Sequence, residues 1–394
     1  MLNHLMLALL LVSPVAVAAP ASAPAPAAQN SVTEAKAVAL APLLELLRER
    51  PQDVALSVYR VSPGQPLPEP LLAHNAAQPM PLASSFKIVV LAAYAQAVAA
   101  GELDPQQPVT LAEWESFYVL QDSGAHAAAL KSLDIPADAF GRAQDGARTV
   151  PLDTLARAMI QLSDNAATDL ILSRLGRARV EAAVQRLGIS GQEPPAPVSG
   201  VFAAWSSPNA AELLALTPAQ RADRFWHEAA QVAAWPSRRQ PTRIVFTALR
   251  RDAALDRQLQ NAAFPAGTTA DYARLMAGVL GADTGQPGTG QFSSDELAVM
   301  RRHLGWLTEV SPKNAAAYSA IYLKGGSLQH GVLTHNYAMT PSQGPNAGQS
   351  VAVSLFFRNL SPDQYEAAQQ TLNEWMLLLA FDPAAQAAVQ QALR

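Results

Sequence analysis

The sequence predicts a mixed α/β protein of the α+β type, an antiparallel five-stranded sheet flanked by helices and joined to a mostly α-helical lobe. Three observations lead there. Strand-like runs stand at both ends of the chain, at Val54–Val61 and Leu71–His74, then at Ala317–Gly325, Gly331–Met339 and Ser350–Phe357. They are rich in β-branched and aromatic residues and bounded by turn residues. Between the two groups, from Ser85 to about Leu280, the segments read as helices separated by Pro and Gly. The last three strands are joined by short connections, as antiparallel neighbours are.

The elements follow in order. Met1 to Ala18 is an apolar run ending in Ala16-Val17-Ala18, an A-x-A-like cleavage site, so residues 1–18 read as a signal peptide. Pro14 interrupts a run already short for a membrane span, and no stable membrane anchor is expected. Residues 19–34 read as a Pro/Ala-rich linker without a core face. A helix is expected from about Thr33 to Arg50, stopped by Pro51, at the start of one domain over residues 35–394. Its sheet lobe takes about 35–83 and 285–394, and its helical lobe about 84–284. The last long helix starts at Ser361-Pro362-Asp363, where Ser is a good N-cap and Pro suits the first turn, and runs to about Leu379.

Composition narrows the function classes. The 394 residues are 49% hydrophobic and 15% charged, with a net charge of −4 and no long run of one sign. A nucleic-acid partner has no electrostatic footprint in such a chain. With no cysteine there are no disulfides, thiolate metal sites or lipid-modified N-terminal Cys. Seven histidines lie scattered without metal-ligand spacing, and no phosphate- or dinucleotide-binding glycine pattern occurs, so neither metal nor cofactor is expected. Export without disulfides fits a bacterial periplasmic or secreted protein, expected to act as a monomer on a small molecule.

Lysine usage points to particular residues. Of 28 basic residues only five are lysines: Lys36, Lys87, Lys131, Lys313 and Lys324. Lysine, unlike arginine, can be tuned by burial into a proton acceptor. Lys87 opens a run, Ile88 to Tyr94, that is apolar on every face, and it stands three residues after Ser84. Residues three apart on a helix share a face, and a serine needs such a base to become a nucleophile. Ser163-Asp164-Asn165 forms a polar triplet between two apolar helical runs. Lys324-Gly325-Gly326-Ser327 closes the strand that starts near Ala317. Each alone has an ordinary reading: a helix cap and an outward lysine, an N-capping triplet, a strand ending in a hairpin turn.

In the order S-x-x-K, S-D-N, K-x-G, the three resemble the signature of penicillin-recognising serine enzymes, class A β-lactamases among them. The resemblance runs from about residue 35 to about 381 and includes Gly267-Thr-Thr-Ala-Asp-Tyr-Ala-Arg-Leu275. It implies a catalytic site between the two lobes, opening a β-lactam ring through an acyl-Ser84 intermediate. Lys87 would accept or relay the serine proton, and Ser163 would deliver a proton to the departing nitrogen. Asn165 would hold Lys87 and the substrate amide, and Lys324 would attract the substrate carboxylate. The oxyanion hole would be the N–H groups of Ser84 and Ser327, with Gly326 allowing close backbone approach.

Two positions depart from the family. Gly325 stands where relatives more often carry Thr or Ser, and it removes a hydroxyl that would help bind a carboxylate. The water-activating Glu of relatives, usually in Glu-Pro-x-Leu-Asn, has only Glu193-Pro194 as a counterpart, within Gly191–Gly200. Glu193 arrives early and lacks the Leu-Asn, so it reads as a deacylation base or as a polar residue of a Pro-rich loop. Three functions remain open: a β-lactamase; an esterase, amidase or penicillin-binding D-Ala-D-Ala peptidase-like protein with slow β-lactam turnover; or a non-catalytic binder of cell-wall ligands. The segment Val201–Arg251, with Trp205, Trp226 and Trp235, reads as extra core or as a region reshaping specificity. His330 and His335 read as ordinary strand residues or as a border of the cleft.

Overall fold

A computed structural model describes residues 26–119, 124–234, 253–283, 292–329 and 331–394, with side chains described from residue 35 onward. The signal peptide expected at 1–18, Trp235 and His330 lie outside the described residues. In chain order the principal elements are α1 (Pro26–Glu49), β1 (Val54–Val61), β2 (Leu72–His74), α2 (Lys87–Ala99), α3 (Ala125–Ser132), α4 (Leu152–Gln161), α5 (Asn165–Leu175), α6 (Val198–Trp205), α7 (Pro218–Ala234), α8 (Thr269–Leu280), β3 (Tyr318–Leu328), β4 (Val332–Pro341), β5 (Ser350–Phe357) and α9 (Pro362–Phe381). They form two compact units. One holds the described residues among 83–266 and 288–303, the other those among 8–82, 267–287 and 304–394.

The second unit is built on a five-stranded sheet in the order β2-β1-β5-β4-β3. Every pairing in it is antiparallel. One face meets α1 and α9 through a core of Leu43, Leu47, Val58, Val353, Leu323, Tyr337, Trp375 and Leu379. Trp375 is fully buried and its indole N–H donates to the Ala39 carbonyl at 2.7 Å, which fixes α9 against α1. Truncating such a side chain typically costs about 3–5 kcal/mol. The other face packs on α8. There Ser57, Thr334, Asn336 and Ser354 are fully buried, a polar row that stays satisfied by bonding internally. Ser354 Oγ donates to Asn336 Oδ1 at 2.7 Å, Asn336 Nδ2 to the Lys324 carbonyl at 3.2 Å, and the Ser57 and Thr269 hydroxyls lie 3.0 Å apart. β5 is buried along its whole length because both of its faces are covered. That explains its nearly continuous apolar sequence.

The first unit centres on α2, where every residue from Lys87 to Tyr94 is buried. A helix that is apolar all round must be enclosed, and α4 and α5 pack against it. α6 and α7 cross at very short range: a Cβ on Gly200 would lie 1.8 Å from the Phe225 carbonyl oxygen. Only glycine fits that contact.

The structure differs from the sequence expectation in three places. α1 begins at Pro26, so part of the expected linker is helical. Pro is pre-organised for a helix start, and the alanines that follow have the highest helix propensity. α8, expected in the helical lobe, belongs to the sheet unit because its apolar face, with Tyr272 and Met276, covers the sheet. β3 runs on to Leu328, so Gly325 and Gly326 are paired strand residues and not a terminal turn. The turn comes later, at Gly331, whose φ is 95°.

Candidate active site

The chain enters the first unit through a 3-10 turn, Ala83–Phe86, which runs directly into α2 at Lys87. Residues three apart eclipse in a 3-10 turn, so Ser84 and Lys87 lie on one side. Ala83, immediately before Ser84, has φ 45°, a left-handed conformation that a side chain adopts only at a cost of about 1–2 kcal/mol. Ser163 is held likewise, at φ 62°. Strain of this kind persists where the surroundings over-determine the backbone. Here those surroundings are tight: Ala83, Ser85, Phe86 and Lys87 are buried, and only Ser84 among them is half-buried.

Lys87 is fully buried, and its ammonium reaches the S-D-N segment 76 residues on. Nζ donates to the Ser163 carbonyl at 2.6 Å, to Ser163 Oγ at 3.2 Å and to Asn165 Oδ1 at 2.7 Å. A buried cation is tolerated only when paired or fully hydrogen-bonded, and this cradle supplies three oxygens.

Asp164, between the two ligands of Lys87, is fully buried and anchors the segment from behind. Its Oδ1 accepts the Ala167 N–H at 2.8 Å and caps α5; its Oδ2 meets His126 Nδ1 at 2.8 Å. His126, on α3, is also fully buried, and its Nε2 lies 3.2 Å from Glu115 Oε1. The ring sits between Trp114, edge-on at 5.0 Å, and Tyr118 at 4.6 Å. Burial alone would lower the His126 pKa, but the charges and hydrogen bonds of Asp164 and Glu115 outweigh it and raise the value to about 10. Burial would raise Asp164, yet His126 and the Ala167 N–H hold it below the usual carboxylate value. His126 is therefore an imidazolium clamped between two carboxylates.

Asp169, one turn further along α5, accepts the Val198 N–H at 2.7 Å and the Ser199 N–H at 2.6 Å. It thereby ties the first turn of α6 to α5. Burial pushes its carboxyl up to about 6, against the lowering effect of those hydrogen bonds.

Glu193 lies in the Pro-rich loop, where both carboxylate oxygens accept from Arg221 Nη2, at 3.0 and 3.1 Å. Oε2 also accepts the Ala266 N–H at 3.2 Å. Trp226 donates to the Pro195 carbonyl at 3.1 Å, and Trp205 is buried. Both tryptophans thus serve as packing for this loop and α6.

The other motif belongs to the sheet unit. Lys324 is buried on edge strand β3, and Nζ donates to the Gly325 carbonyl at 2.7 Å. Gly326 is buried, and Ser327 is exposed. Thr334, on β4, donates from one hydroxyl to the Leu82 carbonyl at 2.9 Å and the Gly326 carbonyl at 3.3 Å. It links the strand carrying Lys324 to the residue two before Ser84.

Among the described residues, no cluster of His, Asp and Glu could hold a metal ion, and no helix is long and apolar enough to cross a membrane.

Comparison with known proteins finds a family similarity over part of the chain. Residues 43–220 match the Beta-lactamase enzyme family, a stretch that contains Ser84, Lys87, Ser163, Asn165 and Glu193. No curated protein sequence matches the chain. Solved structures similar to this chain include PBP-A, 17% identical, covering 85% of this chain and 93% of that one, with a TM-score of 0.46. A β-lactamase from Sphaerobacter thermophilus DSM 20745 is 18% identical, covering 87% and 96%, with a TM-score of 0.45. A β-lactamase from Chitinophaga pinensis DSM 2588 is 15% identical, covering 89% and 98%, with a TM-score of 0.47.

The structure gathers Lys87, Ser163 and Asn165 into one hydrogen-bonded group beside Ser84 and places Lys324, Gly326 and Ser327 on one strand of the other unit. His126, Glu115, Asp169 and Arg221 were not singled out by sequence reasoning. None carries a motif, and each acquires its role from a partner between 11 and 38 residues away.

Proposed function

We propose that the chain is a serine hydrolase that opens β-lactam rings through an acyl-Ser84 intermediate. The observation that carries this reading is the three-oxygen cradle on Lys87 Nζ, formed by Ser163 and Asn165. An ammonium has three hydrogens to donate and a neutral amine only two. With Lys87 as the neutral amine, its two N–H groups stay on the cradle and its lone pair takes the proton of Ser84. Ser84 Oγ bonds to the lactam carbonyl carbon, the ring C–N bond breaks, and the nitrogen collects that same proton from Lys87 through Ser163 Oγ, which returns Lys87 to the neutral amine. Water cleaves the ester, restores Ser84 O–H and releases the ring-opened acid. The resemblance assigns the oxyanion donors to the Ser84 and Ser327 N–H groups and the carboxylate anchor to Lys324. Preorganised donors of that kind are worth about 3–4 kcal/mol each to a transition state. The apolar leader at residues 1–18 supports action outside the cytoplasm.

The Glu193–Arg221 ion pair favours slow release of the acyl group. A base must reach the proton that it removes, and this carboxylate is bonded to Arg221 and the Ala266 N–H. Acylation then outpaces deacylation, as in a penicillin-binding or peptidase-like protein or an esterase with a more labile substrate. Mixing the protein with a chromogenic cephalosporin and recording intact mass over time tests both steps. A stoichiometric adduct that persists and is absent in Ser84→Ala supports slow deacylation, and rapid turnover supports a β-lactamase. No adduct and no turnover would leave a binding role in place of catalysis.

A further inference from the structure

His126 presents both ring nitrogens to carboxylates. Nδ1 lies 2.8 Å from Asp164 Oδ2, and Nε2 lies 3.2 Å from Glu115 Oε1. An ionised carboxylate only accepts, and a neutral imidazole has one N–H and one bare lone pair. Both contacts are hydrogen bonds only when the ring carries two protons, so the geometry itself calls for an imidazolium. Glu115 is tied down in turn, because the same Oε1 accepts the Ala143 N–H.

The charged and titratable groups around the ring come from several segments. Asp164 caps the start of α5, and Glu115 opens the turn Glu115–Phe117. Tyr118 lies against the imidazole at 4.6 Å and carries the Arg142 guanidinium over its own ring at 5.6 Å. Lys131, on α3 itself, is exposed. Lys87 completes the set, and its charge acts on both Asp164 and Asp169. Asp164 thus stands between two cations, Lys87 and His126.

His126 is linked to Lys87 in two ways. The first is mechanical. Ser163 and Asn165, which hold Lys87 Nζ, flank Asp164 in sequence. Asp164 Oδ1 is taken by the Ala167 N–H within α5, so it is the bond on Oδ2 that ties the carboxylate to another helix. Such a tie helps to over-determine the left-handed Ser163 backbone, at φ 62°. The second link is electrostatic. A buried carboxylate favours the ammonium form of a nearby lysine, and a second cation bound to that carboxylate offsets the pull.

We propose that His126 is a positioning residue for acyl transfer: its imidazolium holds the S-D-N triplet on Lys87 Nζ and offsets the charge of Asp164, so that Lys87 can stand as the neutral base. The inference rests on the acyl-Ser84 reading for the role of Lys87 as base, whereas the coupling of His126 to Lys87 stands apart from it.

The first test needs no variant. In ¹H–¹⁵N spectra of wild type at pH 7, both His126 nitrogens are expected to carry hydrogen, and a bare nitrogen overturns the proposal. Protein labelled with ¹³C at lysine Cε then reports the pH at which Lys87, one of five lysines, loses its proton. His126→Gln is expected to raise that midpoint by about one pH unit or more. The double variant His126→Gln/Asp164→Asn removes the carboxylate charge as well, and its midpoint is expected to return toward wild type. Acylation by benzylpenicillin, followed by intact mass over the same pH range, is expected to shift its rising limb in the same directions. A purely structural loss would slow acylation by one factor at every pH and leave the Lys87 midpoint in place, and that result overturns the proposal. A Lys87 that stays charged throughout in wild type overturns it too. If the midpoints move as expected and wild type forms no adduct, only the acyl-enzyme reading falls.

Discussion

Lys87 Nζ donates to Asn165 Oδ1 at 2.7 Å, joining the first residue of α2 to the first residue of α5. This bond holds the ammonium toward the S-D-N segment. Asn165→Ala removes one of the oxygens that accept from this buried ammonium, a cost of about 1–3 kcal/mol. Acylation of Ser84 by benzylpenicillin is expected to slow by roughly ten- to a thousandfold, in keeping with the loss of one site hydrogen bond. Time-resolved intact mass measures it, and a rate equal to wild type would remove Asn165 from the mechanism.

His126 and Asp164 form the buried ion pair that supports this segment from behind. The folded-state pKa of His126, about 10, lies above its ordinary 6.5, so its contribution to stability is complete below pH 6.5 and is lost as pH rises through 10. Asp164 is lowered from 3.8, so its contribution is present above that value and lost as pH falls further. His126→Gln strands two carboxylates without their cation and is expected to cost about 3–5 kcal/mol at pH 7. Thermal unfolding from pH 6 to 10 should show wild type losing stability and the variant changing much less. Parallel curves would show that His126 is not charged in the fold.

Glu193 and Arg221 make the next prediction. Glu193→Gln weakens a partly buried ion pair, with an expected loss of about 1–3 kcal/mol in unfolding free energy. The lifetime of the acyl-enzyme should stay within about twofold of wild type, because a bound carboxylate is not the base. A lifetime extended tenfold or more would make Glu193 the deacylating residue after all.

Asp169 binds its proton more tightly in the fold than in the unfolded chain, with a pKa near 6 against 3.8. Stability is thus expected to fall as pH rises between these values, and to level off above 6. Asp169→Asn removes that slope while retaining one acceptor for the α6 N-terminus. Urea unfolding at pH 4, 5, 6 and 7 compares the two proteins, and identical slopes would mean that burial does not perturb this carboxyl.

Gly200→Ala places a methyl carbon 1.8 Å from the Phe225 carbonyl oxygen. α6 and α7 must separate to admit it, at an expected cost above about 3 kcal/mol, toward the upper end of overpacking effects. Circular dichroism melting checks this. A variant as stable as wild type would show that the two helices do not meet closely at Gly200.

Much of the fold was legible because its signals are local. Ser350–Phe357 is a strand over the span that its residues predict, and Ser361 and Gln364 form a capping box at the start of α9. Assigning a helix to one layer or the other is less local. α8 has the pattern of any amphipathic helix, and only the apolar face of the sheet decides where it docks.

For the site, the sequence alone determined residue chemistry and short spacing: a serine three residues before a buried lysine, a polar triplet, and a lysine before paired glycines. Those properties reside in a few consecutive residues and follow from helix and strand geometry. The tertiary structure decided what each group bonds to. It put Ser163 and Asn165 on Lys87, closed Arg221 over Glu193, buried His126 between two carboxylates and laid His335 over Gly325. Charge state and hydrogen-bond satisfaction depend on the surrounding dielectric and on partners far away in sequence, which exist only once the chain has folded.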